Sequence, residues 1–151
     1  MATRGFEFAY MLDGTNATPK TQTFILGAAA AHLVGDLMLM QSDGYIDAVT
    51  GTTTEVTCIM AEAKAAADIT AGTTTAKAYV ITRNQVWRCS MDATSTTAVK
   101  YYTKTQDTVD KNTIDADDIT NGAMCLIDTG TDDDGNVLGY VVFTDTSAGN
   151  A

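Results

Sequence analysis

The chain predicts a mainly β, single small domain, and three observations carry that expectation. Threonine dominates the polar residues and comes in runs, Thr52-Thr53-Thr54, Thr73-Thr74-Thr75 and Thr96-Thr97. Its branched Cβ favours extended backbone. One proline and 12 glycines suit short strands joined by glycine turns, and 45% hydrophobic residues exceed what a disordered chain carries. Third, residues 35–62 alternate apolar runs with tight turns and hold the densest strand-forming sequence in the chain. At 151 residues such a domain buries roughly 68–70% of the surface its unfolded chain exposes, enough for a core without a staple.

In chain order, residues 1–14 form a first unit. Phe6, Phe8, Tyr10 and Leu12 alternate and so fall on one face of a strand ended by Asp13-Gly14. Two readings are open for it: an ordinary edge strand, or an aromatic arm that pairs with a partner's sheet edge. Residues 15–143 make the domain proper and 144–151 a loose polar tail. Residues 20–26 are a strand candidate, and the alanines of 27–33 suit a short helical turn.

Residues 37–41 and 45–49 read as a β-hairpin around Ser42-Asp43-Gly44. Residues 54–62 then continue with Val56, Cys58 and Met60 on one side and Glu55, Thr57 and Ile59 on the other. Residues 61–68 could close one or two helical turns. Residues 73–82 and 84–91 read as a second hairpin joined through Arg83-Asn84, with Trp87 and Cys89 inward and the indole packed on Tyr79 or Ile81. Residues 99–103 suit a short strand. Thr113 could cap a helical turn over 114–119, with Asp115 and Asp117 in its first turn. Residues 123–128 and 137–143 close the domain as a third hairpin around 130–136.

The formal charge of −10, with nine Lys and Arg scattered singly, argues against nucleic-acid binding, which rests on a clustered basic footprint. No run of eighteen apolar residues and no apolar leader is present, so the expectation is a soluble protein without a membrane span, made in the cytoplasm. Asn16-Ala17-Thr18 is then an unused glycosylation sequon. Cys58, Cys89 and Cys125 are an odd, widely spaced set. They read as buried thiols, with a Cys58–Cys89 bridge as the alternative. His32, the single histidine, has no carboxylate or cysteine at metal-ligand spacing and reads as a surface or satisfied residue.

Three constellations look like chemistry. Asp128-Thr129-Gly130, after Cys125-Leu126-Ile127, resembles the active-site turn of retroviral-type aspartic proteases, where two carboxylates share a proton. Only 21 residues follow Gly130, fewer than that fold places after the turn. Gly44-Tyr45-Ile46-Asp47-Ala48 resembles a motif of trimeric dUTP pyrophosphatases, but Val49-Thr50 stands where the base-stacking aromatic belongs and no Arg-Ser-Gly element is present. Asp132, Asp133 and Asp134 before Gly135 suggest a calcium loop. Registered on the EF-hand pattern, Gly130 and Val141 occupy ligand positions, so a solvated hairpin tip is the better reading. The expectation is therefore no enzyme, no catalytic residue, no metal and no cofactor.

The pattern over 35–91 resembles the head decoration, or cement, proteins of tailed bacteriophages, typified by the lambda head-stabilising protein. It rests on Gly35-Asp36-Leu37-Met38-Leu39, Gly44-Tyr45-Ile46 and Cys58-Ile59-Met60-Ala61-Glu62-Ala63, then the Ala71-Gly72 gap and the strand pair 76–82 and 85–90. The chain departs from the pattern at Asp47-Ala48-Val49, where a proline is often found. The resemblance implies a small β-barrel or β-tulip that assembles as a homotrimer on the major capsid protein, on the outer surface of an icosahedral head. It also implies a capsid-binding role for the arm residues Phe6, Phe8, Tyr10 and Leu12. The alternative is a surface-displayed binding module of a phage particle, for carbohydrate or host, with Tyr45, Tyr101 or Tyr102 as stacking platforms.

Overall fold

The structure, a computed structural model, describes residues 5–50, 55–91, 108–114 and 123–144. Within them the regular structure is almost all strand: β1 (Glu7–Met11), β2 (Thr21–Ile25), β3 (Leu37–Met40), β4 (Ile46–Ala48), β5 (Cys58–Met60), β6 (Thr75–Val80), β7 (Gln85–Ser90), β8 (Thr108–Asp110), β9 (Thr113–Ile114), β10 (Met124–Thr131) and β11 (Val137–Phe143). One antiparallel sheet has the order β1-β7-β11-β10, a second β2-β6-β5-β3-β4, and β8 and β9 form a separate ribbon. The mainly β, single-domain expectation is correct.

The two sheets enclose one core and the second sheet covers another. Phe6, Leu37, Ile59, Trp87, Cys89, Val141 and Phe143 belong to the first. Phe24, Leu26, Met38, Ile46, Cys58, Met60 and Ile69 belong to the second. Successive side chains of a strand point to opposite faces, so Leu37 and Met38 enter different cores, as do Cys58 and Ile59. Both faces of β3 and β5 are therefore dry, which is why those segments are continuous apolar runs rather than alternating ones. The expected sidedness of 54–62 holds for Cys58 and Met60 against Ile59. It fails at Val56, which packs in the core of Ile59, because regular strand begins only at Cys58.

The expected barrel is not closed. The second sheet curls around its core until Leu26 reaches Ile46 in a parallel bridge, with Gly27 N–H donating to Ile46 O at 3.0 Å. That one bridge does not continue into a ladder, since β4 is three residues long and the chain turns away at Gly27. The architecture is two packed sheets, one of them strongly curled.

The expected second hairpin is also corrected. β6 lies in the curled sheet between β2 and β5, and β7 lies in the other sheet between β1 and β11. Residues 81–84 are a corner between sheets. Its fastener is Gln85, buried at 5% exposure. The Gln85 amide donates to Val80 O at 3.3 Å, and its carbonyl accepts from Thr82 N–H at 3.1 Å and from the Trp87 indole at 3.2 Å. A buried amide so fully bonded holds the bend and the indole together.

The hairpins β3–β4 and β10–β11 form as expected. Trp87 lies inward, its ring 5.9 Å from that of Tyr79. The helical expectations mostly fail. Residues 27–33 are irregular, and the helical content of 61–68 is a single 3-10 turn, Ala66–Asp68. Thr113 pairs with Asp110 in the β8–β9 ribbon. The expected strand at 99–103, the stretch 115–119 and the tail from 145 lie outside the described residues.

Candidate functional site

Exposed apolar side chains stand on and just after β1, at Tyr10 and Leu12, and on the loop 27–36, at Leu33 and Val34. β1 ends its sheet and, among the described residues, has a strand neighbour on one side only. Its pairing with β7 runs Glu7↔Arg88 and Phe8↔Trp87, then skips Ala9 to resume at Tyr10↔Val86. That extra residue is a β-bulge, and it reverses the facing of everything after it. Phe6 is 2% exposed, its ring centroid 5.6 Å from that of Phe143, and Phe8 and Trp87 pack in a T shape with ring centroids 5.7 Å apart. Tyr10 and Leu12 are instead 46% and 54% exposed. The four predicted site residues therefore do not share a face: Phe6 and Phe8 anchor the strand, and Tyr10 and Leu12 are presented to solvent. The bulge has no signature in the sequence, since Ala9 fits either register.

Beside β1 lies an open groove of about 400 Å³ lined by Phe6, Phe8, Pro19, Val34, Tyr79 and Trp87. Its outer wall continues into Leu33 and Val34, 61% and 59% exposed. Two adjacent aliphatic side chains held in water at a loop tip need a rigid support, and the sequence supplies it at Gly35. There φ is +95°, and a Cβ would lie 3.0 Å from the Phe6 backbone. Only glycine takes that conformation at no steric cost, and Phe6 N–H can then donate to Gly35 O at 2.9 Å. The shoulder Leu33-Val34 is thereby tied to the residue that precedes the edge strand.

Below the shoulder sit His32 and Asp36, 3% and 1% exposed. Asp36 Oδ2 accepts from Leu33 N–H at 2.9 Å and lies 3.1 Å from the Lys111 ammonium. That ammonium also donates to Ala31 O at 2.6 Å. His32 is joined through its backbone to Lys64, N–H to carbonyl at 2.9 Å in both directions. Its Nδ1 lies 3.9 Å from Asp36 Oδ2, beyond hydrogen-bond reach. His32 Nδ1 and Asp36 Oδ1 are buried without a hydrogen-bond partner among the described residues. Burial, and then the Lys111 charge, hold the imidazole below its ordinary pKa, against the pull of Asp36 and Asp47. The sequence reads His32 as a surface or satisfied residue; it is buried, and one ring nitrogen has no partner among the described residues. The partners come from positions 36 and 111, a spacing no local motif encodes.

The other sequence candidates lie apart. Asp128 is exposed on β10, its carboxylate accepting from Thr129 N–H at 2.8 Å. Asp47 is on β4, where its carboxylate abuts Gly27. Asp132 turns its carboxylate onto its own loop, accepting from Asp134 N–H at 3.0 Å and Asn136 N–H at 2.8 Å. Among the described residues no three His, Cys, Asp or Glu side chains gather to hold a metal. No helix there is long and apolar enough to cross a membrane.

No disulfide joins the three cysteines. Cys58 and Cys89 lie in different cores, which disposes of the bridge between them. Tyr45 rests on the Gly72 turn, and Tyr101 and Tyr102 lie outside the described residues. Across the outer face of the first sheet runs a polar row in register, Glu7, Arg88, Tyr140 and Asp128. Tyr140 and then Glu7 raise the Arg88 pKa, with Arg88 Nη2 3.1 Å from Glu7 Oε2.

No family model, no curated protein and no solved structure matches the chain.

Proposed function

We propose that the chain is a non-enzymatic decoration, or cement, protein of a tailed-phage head. In this reading it binds the major capsid protein on the outer surface of the head, as a homotrimer, and stabilises the shell. The observation that carries the reading is the edge strand β1, with Tyr10 and Leu12 presented outward towards one end and the exposed shoulder Leu33-Val34 tied to the other through Gly35 and Phe6. A sheet edge is a template for an added strand, and exposed aliphatics beside it supply the apolar contact that such pairing needs. A charge of −10 repels packaged DNA and suits the outer surface. Repeated weak contacts around a lattice sum to tight binding by multivalency.

The test uses exposed residues only. Removing residues 1–14 would take away an entire strand and the Phe6 anchor, so loss of binding on that deletion would carry no information about contact. Leu12→Asp and the pair Leu33→Asp with Val34→Asp leave the cores untouched. Expanded, undecorated heads, assembled from the major capsid protein encoded with this chain, should pull down the wild-type protein. The shoulder variants should lose at least tenfold in affinity, with unchanged melting temperature. Light scattering should give about 48 kDa, three times 15.9 kDa, free or on the lattice. Wild-type protein that ignores the heads, or variants that bind them equally well, would sink the reading.

A further inference from the structure

His32 and Asp36 are a buried imidazole and a buried carboxylate, and both belong to the loop that carries the exposed shoulder. The carboxylate of Asp36 ties the loop in two ways. It accepts from Leu33 N–H at 2.9 Å and holds the Lys111 ammonium at 3.1 Å, which in turn grips Ala31 O at 2.6 Å. The carbonyl of Lys111 accepts from Leu37 N–H at 2.7 Å, joining the start of β3 to the same cluster. With a neutral imidazole this arrangement is balanced, one buried carboxylate against one ammonium.

We infer that His32 is a proton-sensitive latch: protonation of its imidazole loosens the 27–36 loop and, with it, the Leu33-Val34 shoulder. The charged groups around the ring set the outcome. Asp36 faces it from its own loop, Lys111 from the turn between β8 and β9, and Asp47 from β4. From the bridged segment comes Lys64, whose ammonium is engaged by Glu62 at 3.1 Å.

A protonated Nδ1 becomes a donor beside Asp36, where Oδ1 has no partner among the described residues. It then competes with Lys111 for a single buried carboxylate. A second cation beside that carboxylate leaves the imidazolium's buried charge incompletely matched, which is costly away from water. The relief is release of Lys111, and with it the tie to Ala31.

Burial first and Lys111 second keep the proton off the folded ring, so the unfolded chain takes it up at a higher pH than the folded one. Stability therefore rises with pH across the window below the ordinary imidazole value of about 6.5 and is fully present above it. The latch is closed at neutral pH and opens on acidification. Its consequence for docking rests on the capsid reading; the latch itself does not.

The chain has one histidine, so its imidazole C–H resonances are unambiguous in an NMR titration of the whole protein. The expected midpoint lies below 6.5, and Lys111→Met should move it upward by removing the adjacent cation. Amide protection factors at Phe6, Gly35 and Leu37, normalised to intrinsic exchange, should fall at least tenfold between pH 7 and pH 5 in the wild type and stay level in His32→Gln. A wild-type midpoint at or above 6.5 overturns the inference, and so does an equal loss of protection in His32→Gln. The titration needs no variant, so it decides the matter even if His32→Gln fails to fold. No heads enter the experiment, so a failed latch leaves the docking proposal standing.

Discussion

Phe6→Ala should destabilise the protein by about 3–5 kcal/mol, whereas Tyr10→Ala, four residues on along the same strand, should cost less than about 1 kcal/mol. The contrast follows from the bulge at Ala9. Phe6 is 2% exposed, against 46% for Tyr10, and its ring packs 5.6 Å from that of Phe143 in the core between the sheets. Removing it deletes the whole buried ring and leaves a cavity walled by β-sheet on two sides, where collapse is hard. For a chain of this length each kcal/mol moves the melting temperature by roughly 2–4 °C, so Phe6→Ala should lower it by roughly 6–20 °C. Urea unfolding followed by far-UV circular dichroism and by Trp87 fluorescence gives the free energy directly. The indole packs against Phe8 with ring centroids 5.7 Å apart, so its emission also reports whether β1 stays docked. If Phe6→Ala unfolded within about 1 kcal/mol of the wild type, the N-terminal segment would be an arm and not a strand of the core.

Gly35→Ala should destabilise by about 2 kcal/mol or more, because alanine is strained at φ +95° and its Cβ would press on the Phe6 backbone at 3.0 Å. An unchanged urea midpoint would deny the tight approach of the loop to β1. At pH 8 a disulfide-exchange reagent should leave Cys58 and Cys89 of the native protein untouched and find three thiols in denaturant. Burial pushes the Cys58 thiol up to about 12 and raises that of Cys125 less, so Cys125 should be the one slow reactor. One thiol in denaturant instead of three would mean a bridge.

The strands were legible wherever the pattern and the local turn agreed. Gly44 between two apolar runs takes φ +87°, and Tyr45 N–H donates to Asp43 Oδ1 at 3.0 Å, so β3–β4 needed nothing from the rest of the fold. Trp87 was placed inward correctly because only one facing buries the indole. What failed was long-range. Residues 73–91 look like a hairpin because two apolar runs flank Arg83-Asn84; the choice of a corner is made by Gln85, whose partners are set by the packing of Trp87. The alanines of 27–31 have helical propensity, but His32 finds Lys64 and the backbone goes there instead. The outward turn of Tyr10 depends on a register shift that alternation cannot reveal. The cluster of Asp36 and Lys111 is joined over 75 positions of sequence and was invisible for that reason.

The loop 27–36 is built against several local preferences at once. It holds a glycine in the left-handed region, buries a carboxylate and an imidazole each with one atom that has no partner among the described residues, and raises two aliphatic side chains into water. Each costs free energy, and the cores on either side of the curled sheet would be no better packed for any of them. A loop whose task was only to carry the chain from β2 to β3 could be polar and relaxed. Features that oppose stability in this way are retained where they shape a contact, and the aliphatic pair is the part of the loop a partner can reach. This favours the shoulder over the aromatic anchors Phe6 and Phe8 as the element that meets a neighbour. Docking and stability should accordingly separate on mutation: Leu33 and Val34 govern binding with little effect on unfolding, and Phe6 governs unfolding.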